Sequence, residues 1–193
     1  MKCIAPVLLL LLLLLPLRAD QDILVNSNFT GGHGHWEGDA KDVDTGDLSS
    51  DTPPPGAVIH LKKDKWTKMY QLFTVRDHKL YYTVTFQLSN DFKLGSQDGD
   101  YVTADLGDVP GLDFQWRLPE NSFSLLIRGG DNWTDRLLEP NMSKLGQAQT
   151  ITGHLNDLHT DVQSCFLITL PPGEGTVTFT QVSLSTTDPS AQP

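Results

Sequence analysis

Four side chains in this sequence combine an aromatic or planar polar group with an outward strand position or a neighbouring loop. They are Tyr81, Gln87, Arg128 and Trp133. An aromatic ring can stack on the C–H face of a sugar, and amide or guanidinium groups can hydrogen-bond to its hydroxyls. These residue types predict a site for a hydroxyl-rich ligand. The alternative is that each is an ordinary surface or packing residue, as most exposed residues are.

The sequence also contains two histidines that could belong to a metal site. His33 and His35 are separated by one glycine, and Asp39 or Asp42 lies close enough in sequence to add a carboxylate. Imidazoles at positions i and i+2 can share one face of a strand and bind a metal ion. A single His-x-His pair without a third fixed ligand is also common in loops. We therefore interpret the two histidines as loop residues and predict no metal and no cofactor.

Catalytic motifs are missing from the sequence. It contains no Gly-x-Ser-x-Gly nucleophile motif, no His-Glu-x-x-His motif and no phosphate-binding glycine loop. Aspartate and glutamate are abundant, but sequence alone assigns no two of them to an acid–base pair. We predict that the protein is not an enzyme.

The strongest structural pattern is the run Leu80–Leu88, which alternates apolar and polar residues without a break. The apolar positions are Leu80, Tyr82, Val84, Phe86 and Leu88, and the polar side has Tyr81, Thr83, Thr85 and Gln87. A period of two in β-branched and aromatic residues predicts a strand with one buried and one solvated face. Tyr81 and Gln87 belong to the solvated face.

A second run, residues 66–75, precedes this strand and is joined to it by four polar residues, 76–79. If the two runs form a simple hairpin, Gln71 shares a face with Val84 and points inward. If the connection crosses between sheets, Gln71 need not point inward. The sequence leaves both alternatives open.

Shorter alternating runs predict the other strands, separated by turns rich in glycine and proline. These strands are residues 23–25, 57–61, 101–106, 112–117, 122–128, 147–155, 164–170 and 176–184. Residues 129–144 predict a long, flexible loop that contains Trp133. In the last strand the apolar phase changes after Phe179, which predicts a β-bulge near Thr180 and Gln181.

The fold class follows from the number of strands. About ten strands without a long amphipathic helix predict an all-β protein whose two antiparallel sheets pack face to face. Cys165 lies in an apolar strand, and we expect it to be buried. The only other cysteine is Cys3, so we expect no disulfide to stabilise the domain.

A family resemblance appears at the start of the predicted domain. Residues 26–36 contain Asn-x-x-Phe, the Gly31-Gly32 turn and then Trp36, and this order resembles the opening of carbohydrate-binding modules of families 4, 9 and 22. The similarity continues through residues 56–61, a glutamine-containing strand at 70–75, a tyrosine-led strand at 80–86 and a closing strand at 176–184. The resemblance implies a galactose-binding-like jelly-roll sandwich and a carbohydrate ligand.

The sequence departs from this family at two positions. Family members often have an acidic residue after the first Phe and an Asp in the last strand, which can serve a structural calcium ion. Here Thr30 follows Phe29, and Thr180-Gln181 precedes the end of the last strand. Since calcium prefers several oxygen ligands that include carboxylates, we expect no calcium site at these positions.

The N-terminus resembles a secretory signal peptide. Lys2 is followed by the apolar run Leu8–Leu15, and Ala19 is a small residue suited to cleavage. We predict a signal peptide at 1–19, a β-sandwich domain at 20–185 and a flexible tail at 186–193; the alternative is a retained anchor. The predicted localisation is secreted or periplasmic.

Net charge limits the partners. Without Lys2 and Arg18, 12 basic residues remain against 24 acidic ones, a formal charge of −12. Such a charge argues against nucleic acid, and against an anionic membrane surface once the signal peptide is removed. Together with the outward aromatic and amide residues, the family resemblance implies a secreted, non-catalytic module that binds a glycan or polysaccharide. The alternative is a protein-interaction or structural module of the same fold with no sugar ligand.

Overall fold

The computed structural model describes residues 22–30, 34–38, 44–45, 56–65, 67–95, 102–103, 115–116, 123–129 and 132–191. For residues 44–45, 68, 102–103, 115–116, 123–129 and 132–137 it describes the backbone alone. The predicted signal peptide lies outside the described residues, as do His33, Asp39 and Asp42.

Two five-stranded antiparallel sheets form the body of the protein. The strands are β1 (Glu37–Gly38), β2 (Asp44–Thr45), β3 (Ala57–His60), β4 (Thr67–Thr74), β5 (Leu80–Leu88), β6 (Lys93–Leu94), β7 (Val102–Thr103), β8 (Gln115–Trp116), β9 (Phe123–Gly129), β10 (Asn132–Leu138), β11 (Ala148–Leu155), β12 (Gln163–Leu170), β13 (Gly173–Glu174) and β14 (Thr176–Ser185). Sheet A has the order β1-β4-β12-β9-β10, and sheet B has the order β11-β5-β14-β3-β2. The pairs β13–β6 and β7–β8 form two small sheets.

Apolar side chains from both large sheets meet in one core. From sheet A the core includes Met69, Phe73, Phe166 and Ile168, and from sheet B it includes Ile59, Val84, Phe86, Val177 and Phe179. Each strand contributes alternate residues to this core because successive side chains point to opposite faces of a strand. The predicted all-β sandwich of two antiparallel sheets is confirmed.

Strand β5 lies inside sheet B, between β11 and β14. Its five predicted inward residues are buried, whereas Tyr81, Thr83 and Thr85 are half-buried and Gln87 is exposed. The predicted division of this strand into a core face and an outer face is confirmed.

The connection between β4 and β5 crosses from one sheet to the other, since β4 belongs to sheet A and β5 to sheet B. Of the two alternatives for this connection, the simple hairpin is wrong. Gln71 nevertheless lies on the core side and is buried. Its side chain accepts a hydrogen bond from the Val25 amide at 2.6 Å and donates one to the Val25 carbonyl at 2.9 Å, so both ends of its amide group hold the N-terminal segment.

The predicted strand at residues 23–25 is wrong, because this segment consists of bends and turns. Asn26 and Phe29 adopt positive φ angles of 56° and 60°, and Asn–Ser–Asn sequences favour turns over a continuous strand. The segment is still joined to sheet B through a hydrogen bond from the Ile23 amide to the Leu184 carbonyl at 2.7 Å. It also places Phe29 against Trp36, with ring centroids 5.3 Å apart in the core.

The predicted long loop at residues 129–144 is also wrong in its first half. Residues 132–138 form β10, which pairs antiparallel with β9 from Asn132↔Gly129 to Leu138↔Phe123. Trp133 therefore lies in a strand and not in a flexible loop. Among the described strands, β10 is at the edge of sheet A with a neighbour on one side only, and such strands tolerate polar residues that hide the period of two.

The predicted bulge in the last strand is confirmed. Phe179 pairs with Phe86 and Gln181 pairs with Thr85, so Thr180 is an extra residue opposite the same stretch of β5. The extra residue restores the phase that puts Val182 and Leu184 into the core, where both are fully buried.

Helical structure within the described ranges is limited to short 3₁₀ turns at Met142–Lys144 and Pro189–Ala191. In that part of the chain no helix has the length and apolar character needed to cross a membrane.

Candidate ligand-binding surface

The four predicted ligand residues do not form one site. Tyr81 and Gln87 lie on β5 of sheet B, whereas Arg128 and Trp133 lie on β9 and β10 of sheet A. Backbone pairing places residues 128 and 133 directly opposite each other. Both belong to the segments whose backbone alone is described. Because Tyr81 and Gln87 face away from the core, sheet B and the core separate them from sheet A.

Tyr81 and Gln87 share the outer face of β5 but lie at its two ends, about 20 Å apart along an extended strand. The Gln87 side-chain amide donates a hydrogen bond to the Gly146 carbonyl at 2.8 Å. This contact ties down the turn that precedes β11, which gives Gln87 a local structural role away from Tyr81.

Tyr81 lies at the centre of a shallow concave region on the outer face of sheet B. One concavity of about 440 Å³ is lined by Tyr81, Thr152, Gly153, His154, Asp188, Pro189 and Ser190. A neighbouring one of about 230 Å³ is lined by Tyr81, Pro189, Asp22, Thr83, Gln181, Ser183 and Ser185. We call these residues together the Tyr81 surface.

Strand register brings the polar groups of this surface together. His154 of β11 and Ser185 of β14 are the backbone partners of Tyr81 on its two sides. In the next outward row, Thr83 has Thr152 and Ser183 as its partners. Side chains directly opposite each other in antiparallel strands are close neighbours, so the centre of the outer face is a row of hydroxyls beside one aromatic ring.

The C-terminal segment forms one wall of the Tyr81 surface. The Asp188 carboxylate accepts hydrogen bonds from the Ser190 amide at 2.9 Å and the Ser190 hydroxyl at 2.7 Å. These bonds cap the 3₁₀ turn and hold Pro189 beside Tyr81. Residues 188–190 of the predicted flexible tail therefore contribute to the surface, and the flexibility of the tail stays a prediction.

Charged groups surround the Tyr81 ring. The Lys79 ammonium lies 4.7 Å from the ring centroid, in the position of a cation–π contact. The His154 ring is 6.1 Å away and tilted by 55°. The hydrogen bonds from Ser190, helped by the charges of Lys79 and His154, lower the pKa of Asp188 from its usual value of 3.8. Asp188 is thus a carboxylate acceptor at neutral pH.

Sequence reasoning singled out Tyr81 as a candidate but did not single out His154, Asp188 and Gln181, which line the same surface. These residues come from β11, from the C-terminal segment and from the bulge of β14, all far from Tyr81 in sequence. The alternation of β11 predicted that residue 154 faces outward, but only the register with β5 places it beside Tyr81.

The outer face of sheet A has a different character. Tyr70, Cys165, Leu167 and Thr169 point away from the core, and all four are buried. The Tyr70 hydroxyl donates a hydrogen bond to the Glu37 carboxylate at 3.0 Å. Burial, with a smaller contribution from the Glu37 charge, raises the pKa of the Cys165 thiol to about 12. Among the described side chains, the accessible polar groups are therefore concentrated on sheet B.

No cluster of three or more histidine, cysteine or acidic side chains suited to a metal ion occurs within the described ranges. His35, the described member of the His-x-His pair, is exposed and has a positive φ of 73°.

No protein-family model and no curated protein matches the sequence. Solved structures do match it over most of its length. The structure of TmCBM61 in complex with β-1,4-galactotriose covers 85% of this chain and 97% of its own, with a TM-score of 0.52 and 11% identity. A CBM4 structure covers 84% of this chain and 98% of its own, with a TM-score of 0.50 and 15% identity.

A larger chain also contains a similar part. The enzymatically active domain of bacteriophage CBA120 tailspike protein 4 matches 85% of this chain, with a TM-score of 0.53 and 9% identity, but over 21% of its own length. At these identities the similarities define the fold and not the ligand. Together with the two-sheet topology, they show that this chain has the galactose-binding-like jelly-roll fold of the carbohydrate-binding modules.

Proposed function

We propose that the protein is a secreted, non-catalytic module that binds a glycan at the Tyr81 surface. The observation that carries the proposal is a half-buried aromatic ring set in a concavity among hydroxyl, imidazole and carboxylate groups. The fold shared with carbohydrate-binding modules supports it. A sugar needs this combination, an apolar plane for its C–H face and polar groups around it for its hydroxyls.

The groups around the ring favour a neutral ligand. Lys79 lies over the ring while Asp188 and Asp22 line the concavities, so positive and negative groups surround the same space. The sugar stacks on the part of the ring that Lys79 leaves free, and Thr152, Ser183 and the Asp188 carboxylate bind its hydroxyls. Affinity is modest because a shallow, wet surface gains little after the hydroxyls are desolvated.

The carboxylates of the surface support a non-catalytic role. Asp22 accepts hydrogen bonds from the Leu24 and Leu184 amides at 3.0 and 2.9 Å, so it is engaged in fixing the N-terminal segment. Glycoside hydrolysis needs a general acid whose pKa is raised, whereas the pKa of Asp188 is lowered. Neither group has the character of a catalytic acid.

Export through the leader at residues 1–19 completes the proposal. The apolar run between Lys2 and Ala19 supports it. N-terminal sequencing of protein collected outside the producing cells or from the periplasm tests this part, with a mature chain expected to begin near Asp20. Protein that keeps residues 1–19 would contradict it.

The ligand is tested by a glycan array or polysaccharide pull-down, followed by calorimetry. Tyr81→Ala is expected to weaken binding by more than the ~0.5–1.5 kcal/mol of one neutral hydrogen bond, without unfolding the domain. Gln87→Ala, at the far end of the same face, is the matched control and leaves the affinity unchanged. Binding is nearly independent of salt because a neutral sugar offers no charge to screen.

Trp133→Ala, tested in the same assay, distinguishes a binding site on sheet A from one on sheet B. If Trp133→Ala weakens binding and Tyr81→Ala does not, the glycan hypothesis stands but the site moves to sheet A. If no glycan binds, the glycan hypothesis is rejected in favour of an interaction module of the same fold.

A further inference from the structure

Strand β11 is an open edge of sheet B. Its eight residues, Ala148–Leu155, pair with β5 along their whole length. Its other side has no neighbouring strand, and no residue of β11 makes a backbone hydrogen bond outside that pairing within the described part of the chain. None of the described residues therefore occupies the outward amides and carbonyls of this side, which recur at every second residue and can bind another extended chain.

The other edges of the two sheets are protected. Within the described ranges, strands β1 and β2 offer only two residues each for pairing. Strand β10 contains Asp135 and Arg136, and charges on an edge strand oppose pairing with a further chain. Strand β11 has the sequence Ala-Gln-Thr-Ile-Thr-Gly-His-Leu, with no proline, lysine, arginine, aspartate or glutamate. It is the long edge on which these protective features are missing.

We infer that β11 is an interface for a second copy of this chain, which adds its own β11 antiparallel about a two-fold axis and joins the two B sheets. A two-fold interface is isologous and closed, so the product is a dimer and not a fibre.

The residue pattern of β11 fits pairing with itself. In any register that keeps alternation, residues 150, 152 and 154 of both copies lie on the outer face, and residues 149 and 151 of both lie on the core side. Threonine pairs across antiparallel strands are favourable. Ile151, which is only half-buried in one chain, gains further cover.

Charge favours this edge over the rest of the surface. The whole chain has a formal charge of −10, so two copies repel each other at most points of contact. An uncharged strand removes this repulsion where the two backbones must approach to hydrogen-bonding distance.

The edge is already ordered in one chain. The Gln149 amide accepts a hydrogen bond from the Asn141 backbone amide at 2.7 Å and donates one to the Asn141 carbonyl at 3.2 Å. This clamp holds the segment before β11 against the strand. Ordering β11 therefore adds little to the entropy cost of association.

The inference does not depend on the proposed ligand. Since β11 also contributes Thr152 and His154 to the Tyr81 surface, pairing places two such surfaces on one continuous sheet face. Dimerisation and glycan binding are measured separately, so either can fail without the other.

The test is sedimentation velocity over a range of protein concentrations, with Thr150→Lys and the control Thr74→Lys. Both residues are exposed on outer faces, but Thr74 lies on β4 inside sheet A. The wild type is expected to show a monomer–dimer equilibrium. Thr150→Lys places a charged ammonium group from each copy on the new interface and raises the dissociation constant at least about tenfold, whereas Thr74→Lys leaves it unchanged.

Hydrogen exchange supplies a second readout on the same samples. Amides in residues 148–155 are expected to gain protection as the wild-type concentration rises, and to stay unchanged in Thr150→Lys. Circular dichroism and urea midpoints verify that both variants are folded. A wild type that stays monomeric at all concentrations, a dimer that Thr150→Lys leaves intact, or an open-ended oligomer would each overturn the inference. So would a different extended polypeptide that occupies the edge of a monomeric chain.

Discussion

Phe86 and Thr85 are neighbours on β5 that face opposite sides of sheet B. Phe86 is fully buried, with its ring centroid 6.1 Å from that of Phe179. Phe86→Ala is expected to lower the free energy of unfolding by roughly 3–5 kcal/mol. Thr85→Ala loses only an exposed hydroxyl contact with Thr150 at 3.1 Å and should cost less than about 1 kcal/mol. Urea unfolding of both variants measures the difference, and equal losses would contradict the assignment of the inward face.

Cys165 offers a prediction about reactivity. Only the thiolate reacts readily with alkylating reagents, and burial, followed by the Glu37 charge, raises the pKa of this thiol from 9.0 to about 12. We expect the native protein to resist iodoacetamide at mildly alkaline pH and to react at full rate in denaturant. Reaction of the native protein at the rate of the denatured one would show that Cys165 is accessible.

The raised pKa of Cys165 also makes the free energy of unfolding depend on pH at alkaline values. Below pH 9.0 the thiol keeps its proton in both the folded and the unfolded chain, so the contribution of the buried neutral thiol to stability is fully present. Above that pH the unfolded chain loses the proton first, and stability falls as the pH rises toward about 12. Cys165→Ala removes this part of the alkaline loss, and the difference between the two unfolding curves measures it.

Single residues differed in how well the sequence predicted them. Tyr81 was predictable because its strand alternates without a break. Gln71 was ambiguous because its contacts with the Val25 backbone join segments far apart in sequence. The same limit applies to Asp188 beside Tyr81, since the sequence contains no record of which turn folds over which strand. Only the structure shows that Asp188 lies beside Tyr81.

The bulge in β14 supplies a prediction for an element. Phe179↔Phe86 is followed directly by Gln181↔Thr85, so a chain without Thr180 keeps both the register and the alternation of β14. We expect deletion of Thr180 to leave a folded domain with a modest loss of stability.

Deletion of Thr178 is the control for this experiment. It forces either Val177 or Phe179, both fully buried, out of phase with the core, and losing a buried Phe alone costs roughly 3–5 kcal/mol. Thermal unfolding of the two deletion variants is the measurement. Equal destabilisation would mean that the bulge is itself needed for the fold.

Elements buried on one face were predictable, and edge elements were not. β5 has a strict period of two, and β14 keeps this period on either side of its bulge, because one face of each lies on the core. β10 escaped prediction because its sequence, Asn-Trp-Thr-Asp-Arg-Leu-Leu, has no such period at an edge position. The sequence did not decide that the connection between β4 and β5 crosses between the sheets, because a short polar connection fits either a hairpin or a change of sheet.

At the scale of the whole molecule, the described side chains on the outer faces of the two sheets differ in chemistry. Sheet B presents threonine and serine hydroxyls around Tyr81, whereas the outward residues Tyr70, Cys165 and Leu167 of sheet A are buried. One fold thus supports two unlike surfaces, because alternation fixes which residues face outward and leaves their chemistry free. The fold similarity therefore cannot assign a ligand, and the residues of each face must be tested.

Calcium provides the last prediction, since a bound ion would stabilise the whole domain. Calcium needs several oxygen ligands that include carboxylates. The Thr30 hydroxyl is exposed and donates a hydrogen bond to the Asn28 side chain at 2.9 Å. Gln181, the other substituted position, is an exposed amide at the bulge of β14.

Chelator is therefore expected to leave the melting temperature unchanged. A ligand that binds only the folded state raises stability by RT ln(1 + [L]/Kd), so removing a bound calcium ion would lower the melting temperature measurably. The measurement is differential scanning calorimetry with EDTA, then with excess calcium, and with magnesium as the control ion. A drop of several degrees that calcium alone reverses would contradict the prediction. The acidic stretch 39–51, most of which lies outside the described ranges, would then be the first region to mutate.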